Sequence, residues 1–215
     1  MKALIAWSSG KDSAFALHVA RQSFGIPIVG ALTTVTETID RVSMHGVRRD
    51  ILMAQLEAAG LPATIVSIPY PCTNEIYEAR MTEMLTEARR QGMTHIVFGD
   101  LFLDDVRAYR EEKLAGTGIT PLFPLWGMPT DQLARDMIAS GVETYLATVD
   151  LTKLPRRSAD ADSTPRCWRI FRPASIRAAS AASFTPVWRP ARCCRSDLRW
   201  ISAPRSNATG LRMRI

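Results

Sequence analysis

The chain has 215 residues, of which 47% are apolar and 22% are charged, a composition typical of a soluble globular protein. No apolar run is long enough to span a membrane, and the first residues enter a strand-like segment without the pattern of a secretory signal, so we expect a cytoplasmic protein without a membrane partner. The four cysteines have neither metal-type spacing nor the pattern of a disulfide framework, which fits the same compartment.

The net charge of +6 is divided unevenly along the chain. Residues 1–154 contain 14 basic and 18 acidic residues, a net charge of −4, whereas residues 155–215 contain 13 basic and 3 acidic residues, a net charge of +10. Every basic residue of the second segment is arginine, and the segment has a single glycine. We therefore divide the chain into a domain over residues 1–154 and an arginine-rich tail over residues 155–215.

Short apolar segments alternate with amphipathic helical segments through the first domain. Strands are predicted over 2–7, 28–34, 63–68, 94–98 and 142–149, and helices over 13–23, 47–59, 74–91, 104–114 and 130–139. Strands that alternate with helices of this length indicate βαβ units, so we predict an α/β fold with a parallel sheet sandwiched by helices. Ligands bind such sheets at the carboxyl ends of the strands, where this sequence places clusters of polar residues.

Two of the predicted helices have a well-defined apolar face. The spacing predicts that the helix over 47–59 buries Val47, Ile51, Leu52, Leu56 and Ala59. It predicts that the helix over 74–91 buries Ile76, Met81, Met84, Leu85 and Ala88. Gly60 and Gly92 follow these helices and are expected to end them.

The polar cluster after the first strand is Ser8-Ser9-Gly10-Lys11-Asp12-Ser13. Small residues let backbone N–H groups turn toward an anion, and the helix that follows adds the positive charge of its N-terminus. Lys11 supplies a full charge and the serine hydroxyls supply further donors, so we interpret the segment as a polyphosphate-binding loop. It is not a Walker A loop, because aspartate follows Gly10-Lys11. The alternative is an ordinary strand–helix turn in which Asp12 or Ser13 caps the helix.

This loop resembles the S-G-G-K-D-S signature of the PP-loop ATP pyrophosphatases, with Ser9 in place of one glycine. Three more segments, over 41–47, 98–111 and 121–126, extend the likeness, so residues 1–154 look like the diphthine–ammonia ligase family. The resemblance implies a Rossmann-like, HUP-type PP-loop fold and an AMP-forming amide ligase, in which ATP adenylates a substrate carboxylate and ammonia displaces AMP. It implies ATP and Mg²⁺ as cofactors, and ammonia and an unidentified carboxylate as substrates.

The resemblance also assigns roles to residues in the polar clusters. The implied nucleotide-binding residues are Ser8, Ser9, Gly10, Lys11, Asp12, Ser13, Thr33, Thr34, His45, Gly46, Gly99 and Asp100. The implied catalytic residues are Lys11, Asp12, Asp100 and Arg107, and Asp12 and Asp100 are also the candidate Mg²⁺ ligands. Arg107 and the neighbouring Arg110 would clamp a phosphate or the substrate carboxylate.

Several of these residues also have a plain structural explanation. His45 either contacts ATP or holds the turn before Gly46. Arg107 would pair with Glu111 on a solvated helix face, and Asn74, a candidate substrate contact, is equally a candidate helix cap. Cys72 raises the alternative of a tRNA-modifying PP-loop enzyme, which would need a second cysteine and a basic face. A non-catalytic nucleotide-binding remnant is the third possibility.

The family continues with a G-E-x-G-E-F-H-T block that this chain lacks. Residues 176–185 read IRAASAASFT, which the bases (G)ATCCGTGCGGCGAGCGCGGCGAGTTTCAC encode when read one base late; in frame the same bases encode DPCGERGEFH. We therefore interpret the tail as an out-of-frame product, which explains its many arginines and its lack of lysine and glutamate. We expect a disordered or irregular tail and weak or absent ligase turnover.

The rival interpretation of the tail is a genuine basic segment that binds RNA. Its arginines would contact phosphates, and Trp168, Trp188 and Trp200 would stack on bases. We favour the frameshift, because chance would not place the missing block in the alternative frame at the expected position, and we therefore expect no nucleic-acid partner. The sequence leaves open whether the protein forms a homodimer.

Overall fold

The computed structural model describes residues 1–142. The strands and helices of this part are β1 (Ala3–Ala6), α1 (Lys11–Ser23), β2 (Ile28–Thr36), β3 (Arg41–Val42), α2 (Arg49–Ala59), β4 (Ala63–Ile68), α3 (Asn74–Arg90), β5 (His95–Val97), α4 (Asp104–Leu114), β6 (Thr120–Leu122) and α5 (Thr130–Ala139). The predicted strand over 142–149 and the whole tail lie outside the described residues. Within residues 1–142, no helix is long and apolar enough to cross a membrane.

Five strands of the sheet run parallel in the order β4–β2–β1–β5–β6. Strand β2 lies between β1 and β4, because Leu32 pairs with Ala6 on one side and with Thr64 on the other. The short strand β3 pairs antiparallel with the end of β2. The prediction of an α/β fold with a parallel sheet is confirmed. The strand order reverses between β1 and β5, and a parallel sheet opens a ligand-binding crevice outside the carboxyl ends of strands at such a point.

Two apolar layers cover the sheet, one on each face. Along β1, Ile5 belongs to the layer that includes residues of α1 and α2, whereas Leu4 belongs to the layer that includes residues of α3. Side chains that alternate between two buried layers explain why β1 is apolar without interruption. The sheet is therefore packed on both faces, and this packing fixes the carboxyl ends of its strands, from which the loops begin.

The predicted helix faces are largely confirmed. Leu52, Leu56 and Ala59 are buried in α2, and Met84, Leu85 and Ala88 are buried in α3. The prediction that Ile76 points inward is wrong, because 38% of its surface is exposed. Tyr77 lies on the same helical row as Met81 and Leu85, so it takes the inward position in the first turn and Ile76 falls one residue off that row.

Two helix starts differ from the predicted ones, since α1 begins at Lys11 rather than at Ser13 and α2 begins at Arg49, which leaves Val47 before the helix. Two predicted helix caps differ as well. Helix α1 begins at Lys11 with Gly10 as its N-cap, and no side chain caps it, so the alternative that Asp12 or Ser13 is the cap is wrong. Helix α3 is capped by Thr73, whose hydroxyl accepts a hydrogen bond from the Ile76 amide at 3.4 Å, rather than by Asn74. Strand β3 was not predicted because two residues are too few to show a period, and β6 was not predicted because its sequence, Thr-Pro-Leu, contains a proline, which argues against a strand.

Candidate functional site

A cavity of about 150 Å³ opens where the strand order reverses, at the carboxyl ends of β1 and β5. We call it the phosphate cavity. It brings together predicted site residues from four separate segments of the chain: Ser8, Asp12, Ser13, Thr33, Thr34, His45, Gly99 and Asp100. Ser9, Gly10, Lys11, Gly46 and Arg107 do not line it.

The loop over residues 8–13 leaves the first turn of α1 without a side-chain cap. The Ser13 hydroxyl donates to the Gly10 carbonyl oxygen at 2.8 Å, and the Ser8 hydroxyl donates to Ser13 Oγ at 3.3 Å. Both hydroxyls thus brace the loop, and neither accepts from a first-turn amide. The amides at the start of a helix have no partner within the helix, so they and the helix dipole are available to an anion.

Two glycines let the neighbouring loops approach this turn closely. A Cβ atom on Gly99 would lie 2.9 Å from the backbone carbon and oxygen of Asp12, closer than real Cβ contacts come. A Cβ atom on Gly10 would lie 3.0 Å from Nε2 of His45. The loops after β1, β3 and β5 therefore meet with almost no space between them, and this packing gives the cavity its walls.

Both carboxylates in the cavity lining already have a cationic partner. Lys11 Nζ donates to the two carboxylate oxygens of Asp12 at 2.8 Å each. Arg110 donates from Nε and Nη2 to the two oxygens of Asp100, which is only 7% exposed. The Arg110 guanidinium also lies 4.3 Å from the centre of the Phe98 ring. Because each negative charge is balanced, the cavity does not repel a polyphosphate as two free carboxylates would.

The donor set at this cavity suits Mg²⁺ bound together with a phosphate. Asp12 and Asp100 supply hard carboxylate oxygens, and Mg²⁺ is usually held by one or two carboxylates plus phosphate oxygens and water. Among residues 1–142, no group of three or more His, Cys, Asp and Glu side chains comes close enough to hold a metal ion. A Mg²⁺ ion at this site would therefore depend on oxygen atoms of the bound nucleotide.

Arg107 lies in an aromatic cluster outside the cavity. Its guanidinium is 4.9 Å from the centre of the Phe123 ring and 4.8 Å from that of Trp126, and its Nε donates to Glu111 at 2.7 Å. The helix-surface pair with Glu111 is thus present, and the cation–π contacts tie α4 to the segment after β6. Arg110, one turn further along α4, is the arginine that lines the cavity.

His45 closes the cavity from the loop after β3. Part of its side chain meets solvent, while the ring lies beside Gly10. Burial of the ring lowers the pKa of His45 below its usual value; the negative charge of Asp12 opposes this shift and the positive charge of Lys11 adds to it. This shift favours the neutral form of the His45 ring.

Several residues of the site were missed in the sequence. Trp7 is buried at the end of β1, where its indole N–H donates to Gln55 Oε1 at 3.2 Å and its carbonyl accepts from the Thr33 hydroxyl at 2.6 Å. The hydroxyl of Thr33, predicted to contact the nucleoside, is therefore engaged within the protein. Tyr77 and Met81 reach the cavity from α3, and their signal was their place on the apolar row of that helix.

Comparison with known proteins gives one family match. The family model described as the diphthamide synthase N-terminal domain matches residues 1–119. No curated protein sequence matches the chain significantly. Among solved structures, a predicted subunit of tRNA methyltransferase from Methanocaldococcus jannaschii is similar, with 12% sequence identity, a TM-score of 0.45, and coverage of 64% of this chain and 76% of that chain. A likeness of that degree transfers no function.

Ser9 generates a prediction about stability. Its φ is 63°, a conformation that favours glycine, and its hydroxyl is buried without a partner. We expect Ser9→Gly to raise the free energy of unfolding by about 1 kcal/mol, or the melting temperature by about 3 °C, after the larger freedom of glycine in the unfolded chain is subtracted.

Ser9→Ala is the matched control, because it removes the hydroxyl and keeps the Cβ atom. Alanine should recover only the part of the gain that comes from the unpaired hydroxyl. Thermal unfolding of the three proteins measures both contributions. A Ser9→Gly protein that melts below the parent would show that the Ser9 side chain stabilises the loop.

Proposed function

Because the chain belongs to the diphthamide synthase N-terminal domain family of PP-loop proteins, we propose that it binds ATP in the phosphate cavity and cleaves it to AMP and pyrophosphate. The finer proposal is an AMP-forming amide ligase that joins ammonia to a substrate carboxylate. The observation that supports it best is the uncapped first turn of α1 at the point where the strand order reverses, with Lys11 beside it and Gly99 and Asp100 opposite.

The proposed reaction has two displacement steps. A carboxylate oxygen of the acceptor attacks the α-phosphorus of ATP, and the bond from that phosphorus to the pyrophosphate oxygen breaks. The nitrogen of ammonia then attacks the acyl carbon, AMP leaves with the electrons of the carbon–oxygen bond, and a proton passes from nitrogen to solvent. A free carboxylate is a poor electrophile, and the adenylate supplies the leaving group that it lacks.

The protein contributes positioning and charge in this proposal. The amides of residues 10–13 and the ammonium of Lys11 would hold the pyrophosphate portion, and Thr34 and His45 border the space left for the nucleoside. Asp12 and Asp100 would hold Mg²⁺, which offsets the charge of the phosphates when bound. Lys11 now pairs with Asp12, so we propose that phosphate replaces that carboxylate as its partner.

The tRNA-thiolation alternative has less support among the residues that the structure describes. Cys72 is the single cysteine of residues 1–142, and it is free. Its thiol donates to the Thr73 carbonyl oxygen at 3.5 Å, and it does not line the phosphate cavity. Sulfur transfer through a cysteine pair would thus need both a second thiol and an approach of Cys72 to the nucleotide.

The first prediction about function concerns Lys11. We expect Lys11→Ala to weaken ATP binding about 10- to 100-fold, because a charge-assisted hydrogen bond to the phosphates is lost. Lys2→Ala is the matched control, since Lys2 precedes β1 at the opposite edge of the sheet. Calorimetric titration of Mg–ATP measures both variants. Equal affinity of the Lys11→Ala and Lys2→Ala proteins would rule out this loop as the phosphate site.

The second prediction concerns Gly99. We expect Gly99→Ala to weaken ATP binding at least about tenfold, because the new Cβ atom meets the backbone of Asp12 and must displace the loop. The control is Gly30→Ala in β2, where the nearest atom is the flexible end of Leu4. Gly30→Ala should lose some stability and keep its ATP affinity. Parent-like ATP binding by Gly99→Ala would show that the close contact does not position the loop.

The third prediction concerns the tail, which we propose to be an out-of-frame product. The 215-residue chain should bind ATP as well as a chain whose reading frame is restored after residue 155. It should release pyrophosphate at least about 100-fold more slowly, since the G-E-x-G-E-F-H-T block is absent. Pyrophosphate release is measured with ammonium and a deproteinised cell extract as the source of acceptor. Equal rates would contradict the expectation that the tail impairs turnover, whereas an uninterrupted reading frame that encodes this tail in the source gene would overturn the frameshift proposal.

A further inference from the structure

A second cavity, of about 110 Å³, lies between α3 and α4 next to the phosphate cavity. We call it the side cavity. The two linings have these residues in common: Leu32, Tyr77, Met81, Phe98 and Arg110. The two cavities are therefore adjacent, and Arg110 borders both of them.

The side cavity suits a small apolar group. Leu85, Ile96 and Leu114 are buried and form its floor, and two tyrosines, Tyr77 and the more exposed Tyr109, stand at its sides. A cavity of about 150 Å³ lined by apolar side chains accommodates benzene, so the side cavity, at about 110 Å³, holds at most a single ring.

The polar groups that line the side cavity belong to the two helices α3 and α4. The ion pair between Glu78 of α3 and Lys113 of α4, at 2.8 Å, bridges the two helices. Burial raises the pKa of Tyr77, an effect that the charge of Arg110 opposes, so its phenol stays protonated and can donate a hydrogen bond. A molecule with an apolar ring and a polar group would therefore find partners for both parts in this lining.

Arg110 is the cation at the boundary between the two cavities. A guanidinium has five N–H donors, and the contacts to Asp100 use Nε and one hydrogen of Nη2. The remaining three N–H groups have no hydrogen-bond partner among the described residues. Arg110 can therefore hold a second carboxylate while its pair with Asp100 stays intact. Arg107 offers no such site, because its guanidinium lies outside both linings.

We propose that the side cavity is the acceptor subsite, and that the acceptor is a carboxylic acid with an apolar, ring-sized body. The ring would occupy the space between α3 and α4, and the carboxylate would lie against Arg110 on the side of the phosphate cavity. This inference rests on the proposed function, since only an enzyme that activates a carboxylate needs that group next to the nucleotide phosphates.

The probe is 3-phenylpropionate, which carries one ring and one carboxylate, and its binding to the full chain with Mg–ATP is followed by NMR. Thr82→Trp fills the side cavity from its exposed edge on α3. Thr86→Trp is the matched control: Thr86 is also exposed, its hydroxyl donates to a carbonyl one turn earlier at 2.8 Å as that of Thr82 does, and it does not line the cavity.

We expect Thr82→Trp to weaken binding of 3-phenylpropionate about tenfold or more, and Thr86→Trp to leave it unchanged. ATP affinity and melting temperature should stay the same in both variants. The uncharged analogue 3-phenylpropanamide should bind the parent chain about tenfold more weakly than the acid, because it lacks the charge that Arg110 holds.

Three results would overturn the inference while the proposed function stands. The first is that the chain binds ATP and does not bind the acid. The second is that the Thr82→Trp and Thr86→Trp proteins bind the acid equally well. The third is that Thr82→Trp weakens the binding of ATP as much as the binding of the acid, which would make the side cavity part of the nucleotide site. Failure of the proposed function is a separate result, namely ATP binding that is absent or insensitive to Lys11→Ala.

Discussion

The close approach of Gly99 to the backbone of Asp12 and Ser13 is the contact on which the site depends. It joins the loop after β5 to the first turn of α1, so the two strands on either side of the reversal in strand order end at one point. Any side chain at residue 99 would push the loops apart. The same contact places Asp100, the next residue, at the cavity, where Arg110 of α4 reaches it.

Charge balance is the second constraint on this site. A cavity that receives a polyphosphate has to avoid unpaired carboxylates, yet Mg²⁺ requires carboxylate oxygens. Under the proposed function, the pairs of Asp12 with Lys11 and of Asp100 with Arg110 would meet both needs. The first pair is partly open and can exchange partners, whereas the second is largely buried and packed on Phe98. We therefore regard Lys11 as the adaptable group and Arg110 as the fixed one.

The sequence predicted those parts of the fold that have a strong local signal. The five helices carry an apolar period and β1 is a continuous apolar run, and Gly60 ends α2 in the left-handed conformation that favours glycine. The short strands β3 and β6 carry no period, so their pairing appears only in the folded chain. The start of α1 was misplaced by two residues because no capping side chain marks it.

The sequence by itself determined the family and placed polar residues at the strand ends, because both depend on contiguous motifs, and the phosphate-binding role of residues 8–13 is proposed from one of those motifs. Only the tertiary structure decided which arginine meets the site. Arg107 and Arg110 stand three residues apart on one helix, and the resemblance assigned a catalytic role to Arg107 rather than to Arg110. In the fold, Arg107 is held by Phe123 and Trp126, while Arg110 pairs with Asp100. The position of each arginine depends on partners that are distant along the chain, so no local sequence pattern predicts it.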